Sequence, residues 1–131
     1  MTWLTSAGAP SDDRYTRDAL CVGHCSVADG TDLMVAVGAL DLSTTPVMRE
    51  LIIDRTAPGH VLLLDLRAVT LFGSSALTML IDTQPKVTAA GGRLVLIADG
   101  RVELRALRAL SVPSAFDVAD SVEAALHRLG V

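Results

Sequence analysis

Aromatic residues are scarce: two Phe, one Trp and one Tyr occur among 131 residues, although half of the residues are hydrophobic. A core built from this chain is therefore aliphatic, made of Leu, Val, Ile and Ala, and the length supports one ordinary domain. A basic excess is missing as well. The net charge of −4 excludes the broad positive field that direct nucleic-acid binding needs, and it gives no attraction to anionic membranes.

Long apolar runs are also missing, since none approaches the ~18 residues of a membrane-spanning helix. The opening "MTWLTSAGAPSDDR" has neither the basic start nor the apolar stretch of a secretory leader. Two cysteines do not make a disulfide framework. These absences together predict a cytoplasmic protein.

Catalytic signatures are equally thin. "GSSAL", Gly73 to Leu77, is not a nucleophile elbow, because Leu77 stands where that turn needs its last glycine. No phosphate loop of the G-x-x-x-x-G-K type is present. The three histidines, His24, His60 and His127, are dispersed, which suits structural or solvated roles better than catalysis. Cys21, His24 and Cys25 resemble metal ligands only superficially. On one strand Cys21 and Cys25 are roughly 13 Å apart, at ~3.3 Å per residue, too far for a disulfide or for one tetrahedral zinc. The expectation is a protein without enzymatic activity, metal or cofactor.

What is present is an alternation of elements. Residues 1–17 are rich in Ser, Ala, Gly, Pro and Asp without periodicity and predict a flexible N-terminal segment, leaving 18–131 as the domain. "LCVGHCSV" and "DLMVAVGAL" are strand-like runs around the hairpin signal Asp29-Gly30. "STTPVMRELIIDR" predicts a helix capped by Thr45 with Pro46 in its first turn, burying Val47, Met48, Leu51 and Ile52. "VLLLDL", Val61 to Leu66, is a strand covered on both faces. After the serines, Leu77, Leu80, Ile81 and Gln84 share a helical face, with Pro85 predicted to kink or break it. "RLVLIA" is the next strand. The helix "RVELRALRAL" follows, with Arg101, Arg105 and Arg108 forming either a solvated face or a contact for an acidic partner. Pro113 ends this stretch, "AFDV" is a final strand, and "DSVEAALHRLG" is a closing helix with Asp120 and Glu123 spaced as a capping box. A hairpin followed by βα alternation means an α/β sandwich with a mixed sheet of about five strands and about four helices.

The serine pair admits two readings. Ser74 can be a simple helix cap with Ser75 a small first-turn residue. Alternatively, Ser75 is a modification site, because the uncommitted N–H groups and positive dipole end of a helix start suit a phosphate.

In this order the segments resemble the STAS-domain family, in particular the anti-sigma factor antagonists, over roughly Leu20 to Leu129. "VGALDLSTTPVMREL" is similar to the family's G-E-L-D segment and first helix, and "VLLLDLRAVTLFGSSALTML" to its strand, loop and D-S-S-G helix. "GGRLVLIA" and "AFDVADSVEAAL" match the remaining strand and the ending. The resemblance implies a single STAS-type domain that binds an anti-sigma factor with serine kinase activity and so frees a sigma factor. It implies phosphorylation of Ser75, a partner surface including Asp41, Gly73, Ser74, Ser75 and Ala76, and a monomer or weak dimer. Asp65 matches a second family carboxylate, expected to cap the loop after its strand.

The chain departs from the pattern at Gly73, where the family has Asp, at Ala76, where it has Gly, and at Ala39, where it often has Glu. Gly73 removes a carboxylate able to orient the serine hydroxyl. Two other functions therefore stand beside the first: a STAS binding module that is not phosphorylated, and a ligand- or nucleotide-sensing or transporter-associated STAS domain.

Overall fold

A computed structural model describes residues 2–7, 20–99 and 116–130. The predicted helix over 101–110, its arginine face and Pro113 lie outside these residues, as do residues 8–17 of the expected N-terminal segment. Among the described residues six strands form one sheet in strict chain order: β1 (Thr2–Ala7), β2 (Leu20–Ala28), β3 (Thr31–Leu40), β4 (Val61–Phe72), β5 (Arg93–Ile97) and β6 (Asp117–Ala119). The pairs β1–β2 and β2–β3 are antiparallel, whereas β3 to β6 run parallel. The fold is the expected mixed α/β sheet, with three helices among the described residues: α1 (Thr45–Asp54), α2 (Ser74–Ala89) and α3 (Val122–Arg128).

The edge strand β1 lies within the expected N-terminal segment. Thr2–Ala7 pairs with Leu20–His24 through a register shift between Trp3 and Thr5. The β2–β3 turn is the predicted Asp29-Gly30 pair, and Gly30 takes a left-handed φ of 71° that a side chain would resist.

Strand alternation builds two cores. Leu62, Leu64 and Leu66 of β4, with Leu94 and Leu96 of β5, face α1 and α2 and meet Met48, Ile52, Leu77 and Leu80. Leu63, Val95 and Ile97 point the other way, against Ala125 of α3. β4 is buried on both faces, as its continuous apolar run predicts. It also runs six residues past Leu66, because Val69 and Phe72 find partners in the core and Phe72 pairs with Leu40 of β3.

Three local expectations change. Helix α2 continues unbroken through Pro85. Pro85 lies on the exposed face, so the Ile81 carbonyl it leaves unbonded is on the solvent side, where water can satisfy it. Ile81 is itself exposed; the buried face of α2 instead uses Ala76, Leu77, Met79, Leu80, Thr83 and Val87. At α3 the cap is Ser121, whose Oγ accepts the Ala124 N–H at 3.0 Å, rather than Asp120. The end of α2 is fixed by a Schellman turn: the Gly91 N–H donates to Thr88 and the Gly92 N–H to Val87, both at 3.0 Å.

Candidate functional site

Two loops meet at the carboxyl ends of β3 and β4. The first, leading into α1, is organised by Asp41. Its Oδ1 accepts the Ser43 N–H at 2.9 Å, the Ser43 hydroxyl at 2.7 Å and the Thr44 N–H at 3.1 Å. Thr44 Oγ1 donates to the Ala39 carbonyl at 2.8 Å and accepts the Asp41 N–H at 2.9 Å. The Thr45 N–H then donates to the Asp41 carbonyl at 3.0 Å, the first helical bond. The N-cap of α1 is Thr44, held in place by the Asp41 turn, and the expected cap Thr45 is already inside the helix, buried. The Ser43 hydroxyl, together with the two N–H donors, holds the Asp41 carboxyl below its ordinary range against a smaller opposing effect of burial.

Asp41, expected in the partner surface, makes these contacts within its own loop. Its Oδ1 is committed within the loop, and what the loop presents outward is Leu42, 82% exposed. Among the described residues Leu42 is the most exposed large hydrophobic, well ahead of Leu71 at 49%.

The second loop starts α2. Gly73 donates its N–H to the Leu40 carbonyl at 3.1 Å, which stitches the two loops together. With φ −82° and ψ 174°, Gly73 is itself the N-cap, and no side chain caps the helix. Ser74 is therefore the first helical residue and not the cap. Ser74 is exposed and Ser75 half-buried. The Ala76 N–H bonds the Gly73 carbonyl at 3.1 Å, and its methyl is fully buried in the larger core. Ala76 therefore packs inward.

Between the loops lies an open groove of about 420 Å³, lined by Leu42, Thr45, Pro46 and Arg49 from the α1 side and by Ser74, Ser75, Thr78 and Met79 from α2. Both serines, expected from the sequence, come together here. Leu42, Arg49 and Thr78 were missed. Leu42 carried a faint signal, as a lone large apolar residue in a polar loop; Arg49 and Thr78 carried none, since only the packing of α1 on α2 brings them to the serines.

Asp65 lies elsewhere. It is 5% exposed within β4 and accepts the Arg67 N–H and Nε at 3.0 Å each and Nη2 at 2.8 Å. It holds a strand neighbour bidentately and does not cap a loop, because β4 continues past it. Cys21 and Cys25 are half-buried on β2 and are not joined in a disulfide, and Cys25 packs against the smaller core. Among the described residues no cluster of three or more His, Cys, Asp or Glu has metal-binding geometry, and no helix is long and apolar enough to cross a membrane.

The fold has close counterparts among solved structures. The crystal structure of an anti-sigma factor antagonist from Mycobacterium paratuberculosis superposes with a TM-score of 0.73 at 23% identity, covering 87% of this chain and 97% of that one. The anti-sigma factor antagonist SpoIIAA in its unphosphorylated form gives 0.65 at 16% identity, over 84% of this chain and 97% of that one. The Bacillus cell fate determinant SpoIIAA in its phosphorylated form gives 0.60 at 17% identity, over 82% and 98% respectively. No curated protein matches the sequence at a significant level. A family model described as the STAS domain matches residues 27–125, well over half of the sequence, and the chain belongs to that family.

Proposed function

We propose that this STAS domain is an anti-sigma factor antagonist: a cytoplasmic, non-enzymatic binding module. It engages an anti-sigma factor that is also a serine kinase, frees a sigma factor, and is released when Ser75 is phosphorylated. One observation carries the reading: the groove between α1 and α2 gathers Ser74 and Ser75 beside an outward-held Leu42. An apolar anchor next to a modifiable hydroxyl is what a reversible protein interface requires. A phosphoryl group adds ~1.5–2 negative charges, and a desolvated charge without a partner costs an interface on the order of 2–5 kcal/mol. That is roughly 30- to several-thousand-fold in affinity. Structural neighbours described as antagonists, one of them in a phosphorylated form, support the same reading.

The test is to recover the partner by pull-down and mass spectrometry, then incubate it with ATP and either wild type or Ser75→Ala and map the phosphate. Labelling of wild type alone supports the assignment, and equal labelling of both overturns it. A second reading, a module that binds without being phosphorylated, draws on Gly73, which supplies no carboxylate beside the serines. Wild type that binds the partner but takes no label would establish it.

A further inference from the structure

Arg49 is the one charged residue in the described lining of the groove, in a chain whose net charge is −4. Its Nη2 lies 4.0 Å from Asp82 Oδ2, with the two side chains 43% and 52% exposed. A contact of that length between solvated groups contributes little. Its Nε is shielded from solvent and has no acceptor among the described residues. A guanidinium N–H withdrawn from water without a partner is a standing cost that an arriving oxyanion would relieve.

The backbone of α2 says where such an anion can sit. Ser75, Thr78, Met79 and Asp82 follow one another at helical spacing on one face, and Ser75 and Asp82 are about 10 Å apart along the axis at ~1.5 Å per residue. Arg49 touches the Asp82 end of this face and lines the groove together with Ser75. Its base is anchored by the neighbouring Met48 and by Ile52, both fully buried.

We infer that Arg49 is the intramolecular receptor of a phosphate on Ser75, an inference that rests on the assignment of Ser75 as the acceptor. Once modified, Ser75 offers about twice the charge of Asp82 and three acceptor oxygens that match the guanidinium fork. Arg49 then leaves Asp82 for the phosphate and clasps α1 to α2. Modification thereby does two things at once: it introduces negative charge and removes the one cation of the groove's described lining from the reach of a partner. The phosphate, with its oxygens engaged, is also shielded from hydrolysis.

The experiment installs phosphoserine at position 75 by genetic encoding, so no kinase is needed, in wild type, Arg49→Gln and Arg49→Lys. Phosphorus NMR follows the second ionisation of the phosphate, and thermal melts compare each protein with its unmodified form. In wild type the second ionisation should fall about one pH unit below that of Arg49→Gln, the direction set by a nearby cation. Modification should raise Tm by roughly 2–5 °C in wild type and not in Arg49→Gln. Arg49→Lys should keep much of the ionisation shift and less of the melting gain, since it retains charge without the fork. Identical titrations and identical melting changes in wild type and Arg49→Gln would overturn the inference. That outcome leaves kinase labelling of Ser75 untouched, and failure of labelling leaves this measurement intact.

Discussion

Asp41 and Thr44 hold each other through reciprocal hydrogen bonds: the Asp41 N–H donates to Thr44 Oγ1 at 2.9 Å, and the Thr44 N–H donates to Asp41 Oδ1 at 3.1 Å. This is the reciprocal logic of a capping box, made here in the turn that leads into α1. It satisfies donors at the start of α1 and fixes the direction in which Leu42 leaves the surface.

Asp41→Ala should therefore cost about 1–2 kcal/mol of folding stability and loosen the presentation of Leu42. Asp41→Asn, which keeps an acceptor, should cost less. The folded-state pKa of Asp41 is lowered, so its contribution is complete above the unfolded value near ~4 and is lost as pH falls through the lower folded value. Urea midpoints at pH 6 and at pH 3 check this, with the wild type losing more on acidification than Asp41→Ala.

Gly73→Asp should be accepted and helpful. A Cβ there would meet only the Leu40 carbonyl oxygen at 3.6 Å and Ser75 Oγ at 3.8 Å, both ordinary contacts. The extended backbone at this N-cap suits Asp, and the gain over Gly should be a few tenths of a kcal/mol, roughly 0.3–1 with the helix dipole included. The added carboxylate beside the Ser75 hydroxyl should also speed phosphate incorporation by the kinase. Initial labelling rates for the two proteins measure it, and a slower variant would contradict the idea.

Pro85→Ala should stabilise the domain. It restores the donor missing from α2 at an exposed site, worth up to ~3 kcal/mol in a helix interior, less the ~0.4–1 kcal/mol by which proline restrains the unfolded chain. A net gain of about 2 kcal/mol should be visible as a higher urea midpoint with an unchanged slope.

Asp117 joins the far side of the molecule. Arg93 at the start of β5 and Arg128 at the end of α3 both reach its carboxylate, and Arg128 also donates to the Val118 carbonyl at 3.0 Å. Burial pushes the Asp117 carboxyl up, but the two guanidinium groups outweigh it and hold it below the usual range. Asp117→Asn should cost about 1 kcal/mol or less, an effect that shrinks with added salt. Hydrogen exchange should quicken in β6 and α3 and stay unchanged in α1, where the groove lies.

The elements legible in the sequence were those with a strong period and a clear stop. β2 and β3 announce themselves around Asp29-Gly30, and α1 by the 3–4 spacing of Met48 and Ile52. β1 was not legible, because "TWLTSA" is short and its partner is thirteen residues further on. The second half of β4 was hidden by Arg67 and Thr70, which break its apolar pattern without breaking its pairing with β3. At the site, the serines were visible as a helix start, but the cap was misplaced by one residue, since glycine caps through its backbone alone. Arg49 was out of reach of any local pattern, because its significance comes from α2 lying against α1.

The sheet order matches the order of synthesis from β1 to β6. Each strand therefore finds its neighbour already made when it emerges, and none waits for a later segment to complete its pairing. A chain built this way keeps few unpaired edges open during synthesis, which limits the exposure that leads to misassembly. Among the described strands the far edge is β6, where three residues leave little edge for another chain to extend.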